Sequence, residues 1–209
     1  MAEEKLIFSD LFDNNDAGWT LSTKTTISGG EVKMCFETGY SAHTAYLDVA
    51  FSSNVWRIKS NMLIQAGEGN ANTIAWLEIF SGASSHSANQ KGHSTKWVRV
   101  DILSSTSHSY TTAQDLEIAC DGSEITAKYG GVTAATKGTL SIGVPTRIQL
   151  RTSDGISGSN NNVWWYDIYA YETPKPSGGL LNWWFIKESI DKGKKYFKNK
   201  LWLPEPVTI

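Results

Sequence analysis

Alternation of apolar and polar residues at a period of two recurs from residue 5 to residue 172, in short runs that end in glycine-, serine- or asparagine-rich turns. That period puts successive side chains on opposite faces of an extended chain, so each run reads as a half-buried strand. Strands are expected near 5–12, 25–37, 44–51, 55–65, 73–80, 96–104, 114–120, 124–129, 138–142, 146–152 and 163–172. Turns carrying positive-φ positions are expected at 28–30 (SGG), 121–122 (DG), 130–131 (GG) and 153–155 (SDG). CDGSE should close a hairpin between DLEIA and ITAKY. No run before residue 180 has a helical period. Many short strands without a helix leave a two-sheet sandwich or a barrel.

Alternation also sorts the faces. Ala75, Leu77 and Ile79 should oppose Ile74, Trp76, Glu78 and Phe80, and Ile148 and Leu150 should oppose Arg147, Gln149 and Arg151. Val98, Val100 and Ile102 should likewise oppose Trp97, Arg99 and Asp101. One side of each strand is core. The other mixes aromatics with charges, which is unusual for a face that only meets water.

The chain has 209 residues and a formal net charge of −2, enough to bury a core without staples and too balanced for a nucleic-acid partner. Residues 180–209 hold six lysines against Glu188, Asp191 and Glu205, so the rest carries −5. The split implies different partners for the two parts. Cys35 and Cys120 both fall in strand-like runs and read as buried thiols, with an inter-sheet disulfide as the alternative. The four histidines, His43, His86, His93 and His108, lack ligand spacing, and three lie in polar stretches read as loops. The N-terminus has no basic start and no apolar stretch of signal-peptide type, and no run is long enough to span a bilayer. A serine- and threonine-rich, charge-poor body made in the cytoplasm fits a protein displayed on a particle such as a virion.

The order of several motifs resembles the concanavalin A-like jelly-roll superfamily, in particular its laminin-G-like branch. The chain opens with FSDLFDNNDAGW, continues with SGGEVKM, WVRV, LEIACDGSEI and LSIG, and closes on WYDIYAYE, over roughly residues 6–172. The resemblance implies an all-β, antiparallel two-sheet sandwich, in a fold that hosts lectins, glycan hydrolases, adhesins and virion parts. It therefore does not assign a function. It also brings calcium into view as a recurrent ligand. DNND at 13–16 reads first as an Asx-rich turn; the alternative is a structural calcium site of Asp13, Asn15 and Asp16, with Asp167 approaching from the last strand. No motif requires a cofactor.

A sugar is amphipathic, so binding one takes aromatic plates ringed by polar groups. Trp76 and Trp97 with Glu78, Arg99 and Asp101 supply that chemistry, and the stretches 81–95 and 156–162 would add hydrogen-bonding loops. The competing reading packs these tryptophans under the tail or a neighbouring subunit. Glycan hydrolysis needs two carboxylates about 5–5.5 Å apart in retaining enzymes. The E-x-D-x-x-E string of hydrolases of this fold is absent, and a Glu78–Asp101 pair across neighbouring strands is equally explained by ion pairs to Arg99 or Arg57. The chain is accordingly expected not to be an enzyme.

The tail follows a hinge, TPKPSGG. Written as a helix, residues 180–202 place Trp183, Ile186, Ile190, Phe197 and Leu201 on one stripe, with Trp184 beside it and Trp202 at its end. Three fates compete: folding back on the body, docking into a protein partner or a second copy, and lying on a membrane surface. Docking is the leading expectation. It makes the chain a lectin-like head anchored in a virion, fibre or filament, with a free carbohydrate-binding module as the rival.

Overall fold

The computed structural model describes residues 3–35, 42–65, 73–82, 84–92, 97–100, 103–106, 113–137, 143–153 and 162–174. Among them sixteen strands form. They are β1 (Lys5–Asp10), β2 (Thr20–Leu21), β3 (Thr25–Ser28), β4 (Glu31–Cys35), β5 (His43–Asp48), β6 (Trp56–Gln65), β7 (Thr73–Ser81) and β8 (Ser84–Gly92). They continue with β9 (Trp97–Val100), β10 (Leu103–Thr106), β11 (Gln114–Cys120), β12 (Ile125–Tyr129), β13 (Val132–Lys137), β14 (Arg147–Ser153), β15 (Asn162–Trp165) and β16 (Ile168–Glu172). All lie in the unit Glu3–Thr173; Met1–Ala2 and Pro174–Ile209 make up a second unit, of which only Pro174 is described. Among the described residues no helix is long and apolar enough to cross a membrane.

The strands pair antiparallel into two sheets, as expected of a jelly-roll sandwich. A nine-stranded sheet runs β13-β12-β11-β6-β15-β4-β3, with β16 also on β6 and β1 on β16. A seven-stranded sheet runs β10-β9-β8-β7-β14-β5-β2. The apolar half of each alternation fills the space between them. Ile58, Leu116, Ile118 and Ile125 come from the larger sheet and Ala75, Leu77, Ile148 and Leu150 from the smaller, all fully buried. Trp56 and Trp165 are the largest fully buried side chains. Burial of each such side chain contributes about 1.5–3 kcal/mol.

The opening motif acts as a corner clamp. Asp10 accepts the Phe12 amide through Oδ1 and the Trp19 indole Nε1–H through Oδ2, both at 2.8 Å. The rings of Phe12 and Trp19 then meet edge to face at 5.7 Å. Phe12 sits at φ 58, a left-handed position rare for a bulky residue. Its complete burial and the amide donated by Gly30 to its carbonyl hold it there.

Several strand expectations change. In place of one strand at 25–37, the described residues to Cys35 fold as a hairpin, β3–β4, because Gly29 and Gly30 both take positive φ. In place of one strand at 96–104 stand β9 and β10, paired antiparallel, and 163–172 divides into β15 and β16, which share the length of β6. The larger correction is the stretch 81–95, expected as a loop. It holds β8, hairpinned to β7 through Gly82 at φ 60. Among the side chains described in it, only Ser87 and Ala88 are buried, so it carries no apolar alternation to betray it. β13 was also missed. The expected strand at 138–142, residues 156–161 of the loop expected at 156–162, and the entire tail with Trp183, Trp184, Ile186, Ile190, Phe197, Leu201 and Trp202 lie outside the described residues; Asn162 opens β15 instead. Cys120 is a free, buried thiol, so it forms no disulfide with Cys35; burial raises its pKa.

Candidate functional site on the seven-stranded sheet

The outward face of the smaller sheet is built row by row from its register. One row runs Thr20, Tyr46, Gln149, Glu78, Ser87 across β2, β5, β14, β7 and β8. The next runs Thr44, Arg151, Trp76, Asn89, Arg99 from β5 to β9. Beyond it Ile74 pairs with Lys91, and Lys91 with Trp97. On the other side lie Asp48, Arg147, Phe80 and Ser85.

Glu78 is the anomaly of this face. It is only 7 % exposed although its side chain points away from the core. A buried carboxylate is costly unless paired, and the neighbouring strand supplies the partners. Gln149 Nε2 donates to Glu78 Oε2 at 2.6 Å, and Arg151 Nη1 stands 3.6 Å from Oε1. The Arg151 guanidinium also lies 4.8 Å from the centre of the half-buried Trp76 ring. One arginine thus fixes both an acid and an aromatic plate. The unit is repeated nearby: Arg147 lies 4.2 Å from the Tyr46 ring and donates from Nε to Asp48 Oδ1 at 2.7 Å. That donation holds Asp48 below the usual carboxylate range.

The structure therefore brings Trp76 and Glu78 together on one face and adds Tyr46, Gln149, Arg147 and Arg151, which were not singled out as binding residues. Their strand order is the reason: Gln149 lies 71 residues from Glu78 in the chain. Trp97 and Arg99 stand at register positions of the same face, but not beside Trp76. β8 intervenes, so Arg99 is two strands, about 9.6 Å, from Trp76. For the same reason β7, which carries Glu78, does not neighbour β9; Asp101 lies outside the described residues. The described register neighbours of Glu78 are Gln149 and Ser87, not a second carboxylate.

The residues considered for calcium do not assemble. Asn15 accepts the Trp19 amide through Oδ1 and donates from Nδ2 to its carbonyl. Asn14 accepts the Asp16 amide, and Gly29 donates to the Asp13 carbonyl. Asp167 lies between β15 and β16, where its Oδ1 takes the Asn61 amide and its carbonyl the Ser60 hydroxyl. Among the described residues no three His, Cys, Asp or Glu side chains gather in the manner of a metal site. His43 is buried, with Nδ1 2.7 Å from the Thr23 carbonyl, and His86 lies in β8 rather than in a loop.

No protein-family model matches the chain. No curated protein sequence matches it either. Solved structures do. A carbohydrate-binding module (CBM2) of the evolved Dit protein of Lactobacillus casei BL23 phage J-1 superposes with a TM-score of 0.69 at 9 % identity, over 84 % of this chain and 98 % of that one. The catalytic domain of an endo-1,3-β-glucanase (laminarinase) from Thermotoga petrophila RKU-1 gives 0.65 at 10 % identity, over 84 % and 100 %. The carbohydrate recognition domain of Emp47p gives 0.61 at 10 % identity, over 80 % and 97 %. The laminarinase, with further glucanases and a transglycosylase, corrects the expectation that the chain is not an enzyme: catalytic domains and binding modules share this architecture, so it gives no ground for that exclusion. The chain has the concanavalin A-like jelly-roll fold.

Proposed function

We propose that the protein engages carbohydrate through the outward face of the seven-stranded sheet, and that residues 180–209 fasten this head to a larger protein assembly such as a virion, fibre or filament. The single observation behind the first half is Glu78, a nearly buried carboxylate held between Gln149 and Arg151 on the outward face and set beside Trp76. A stacked pyranose would cover Trp76 while its hydroxyls meet the amide, carboxylate and guanidinium around it. The phage module and the Emp47p domain, carbohydrate-binding proteins of the same fold, support this reading. The second half draws on the apolar stripe and six lysines of the tail.

Screening the full chain on a glycan array, followed by titration of each hit, tests the head. Binding that drops at least tenfold in Trp76→Ala is expected; binding indifferent to Trp76 and Glu78 sinks the proposal. The buried carboxylate also favours a second reading, glycan cleavage at Glu78. Release of reducing ends that disappears in Glu78→Gln would establish it. For the tail, deletion of residues 174–209 should lower the particle mass in light scattering, and an unchanged mass refutes the anchor.

A further inference from the structure

Resting on the carbohydrate reading above, we infer that this face takes an inner stretch of an unbranched saccharide chain, at least three sugar units long, with Tyr46 as a second plate beside Trp76. The arrangement starts from β14, where Arg147, Gln149 and Arg151 share the outward side. Arg147 reaches toward β5, where its guanidinium lies 4.2 Å from the centre of the Tyr46 ring. Arg151 reaches toward β7, where it lies 4.8 Å from the centre of the Trp76 ring. One strand thus fixes a half-buried ring on each of its two neighbours. Rings held in place before the ligand arrives lose less freedom on binding, which favours their use as plates.

The separation of the two rings sets the length of the ligand. Tyr46 stands opposite Gln149, and Gln149 opposite Glu78, while Trp76 lies two residues from Glu78 along β7. Two strand spacings and two residues of rise put the Tyr46 and Trp76 positions about 12 Å apart. One pyranose cannot cover both rings. A chain whose first and third units stack on them carries its second unit across β14. There the gap holds polar groups rather than a third ring. Gln149 gives Nε2 to Glu78 and still offers its amide oxygen to a sugar hydroxyl. The larger sheet shows the contrast: Tyr169 and Tyr171 lie on one strand and stack on each other at 6.5 Å, with no polar side chain between them.

The test is isothermal titration of the full chain with the laminari-, cello-, manno- and malto-oligosaccharide series, each from the monosaccharide to the hexasaccharide. Expected in at least one series is an affinity that rises at least tenfold from the disaccharide to the tetrasaccharide and then levels off, as two linked subsites require. Trp76→Ala should weaken every length that binds. Tyr46→Ala should remove the step, leaving the tetrasaccharide bound no more than about twofold tighter than the disaccharide. Tyr46→Leu, which keeps an apolar side chain without the ring, takes its place should the alanine variant not melt cooperatively. An affinity that does not change with chain length overturns this inference and leaves the carbohydrate reading standing. A step kept in Tyr46→Ala but lost in Phe80→Ala, the next outward ring of β7 beyond Glu78, turns the chain along β7 and removes Tyr46 from the site. No binding in any series also overturns the inference, while the glycan array decides the carbohydrate reading by itself.

Discussion

The two outer faces of the sandwich use one device for opposite ends. On the nine-stranded sheet Arg57 lies 4.1 Å from the Tyr171 ring and pairs with Glu4 and Glu117, while Lys59 lies 5.3 Å from Tyr169 and pairs with Asp115. Tyr169 and Tyr171 stack in turn. The cations, acids and rings named on this face satisfy one another, which holds the Arg57 pKa well above and the Glu4 pKa below their ordinary values through their mutual hydrogen bond. On the seven-stranded sheet the same cation-over-ring unit recurs among the described residues, at Arg147–Tyr46 and Arg151–Trp76. There Arg147 pairs with Asp48, and Arg151 stands by Glu78, which is nearly buried. Cations, acids and rings that pair with one another, as Arg57, Glu4 and Tyr171 do, serve stability. A nearly buried carboxylate set beside an aromatic plate is, on the proposed reading, suited to meet a ligand.

The comparison can be broken in several ways. The largest effect is expected from Trp76→Ala, which should weaken glycan binding by at least about tenfold, as for an aromatic that carries much of the binding energy. Tyr171→Ala on the other face should leave that affinity unchanged. A titration in which the two variants rank the other way ends the functional distinction between the faces.

Stability should respond in the reverse sense. Arg57→Ala removes a guanidinium shared by Glu4, Glu117 and Tyr171, and leaves Glu117 with Lys128. Allowing for partial exposure, the cost is about 1 kcal/mol, or about 2–4 °C in Tm. A melting curve that coincides with the parent would show that this face is not self-supporting.

Glu172 sharpens the role of the larger sheet through pH. Burial pushes its pKa up, but the Ser52 amide and hydroxyl, at 2.6 and 2.7 Å, more than offset this and leave it below the ordinary value. A depressed pKa in the folded state contributes stability above the unfolded value, near about 4.3. That stability is lost as pH falls through the folded value. Glu172→Gln should therefore lose less Tm between neutral and strongly acidic pH than the parent. Equal losses would remove Glu172 from the acid response.

The smallest effect concerns Arg147→Ala. Its pair with Asp48 is exposed, and surface pairs of this kind contribute little. Calorimetry should find no resolvable shift in Tm, and a clear drop would make the Tyr46–Arg147–Asp48 unit structural rather than a part of the binding face.

How far this was legible in the sequence can be followed strand by strand. In β14 large aliphatics alternate with polar residues, in β7 with a mixed set of Trp76, Glu78 and Phe80, and the structure buries Leu77, Ile79, Ile148 and Leu150 as the period of two requires. The CDGSE hairpin was also legible, because Asp121 Oδ1 takes the Ser123 and Glu124 amides within the turn itself. In β8 the signal failed. SSHSANQKG has no large apolar residue, since its inward positions need only an alanine and polar groups. Without that strand β7 and β9 read as neighbours, whereas β8 lies between them.

By itself the sequence determined what is local: the strand period, which side chains of a strand share a face, the turns that close hairpins, and hence an all-β fold, sandwich or barrel. Which strands lie side by side was decided only by the tertiary structure. Packing of the two sheets sets that order through contacts between residues far apart in the chain, and no local pattern records it. The pairing of Glu78 with Gln149 and Arg151, and so the site itself, exists only once β14 lies against β7.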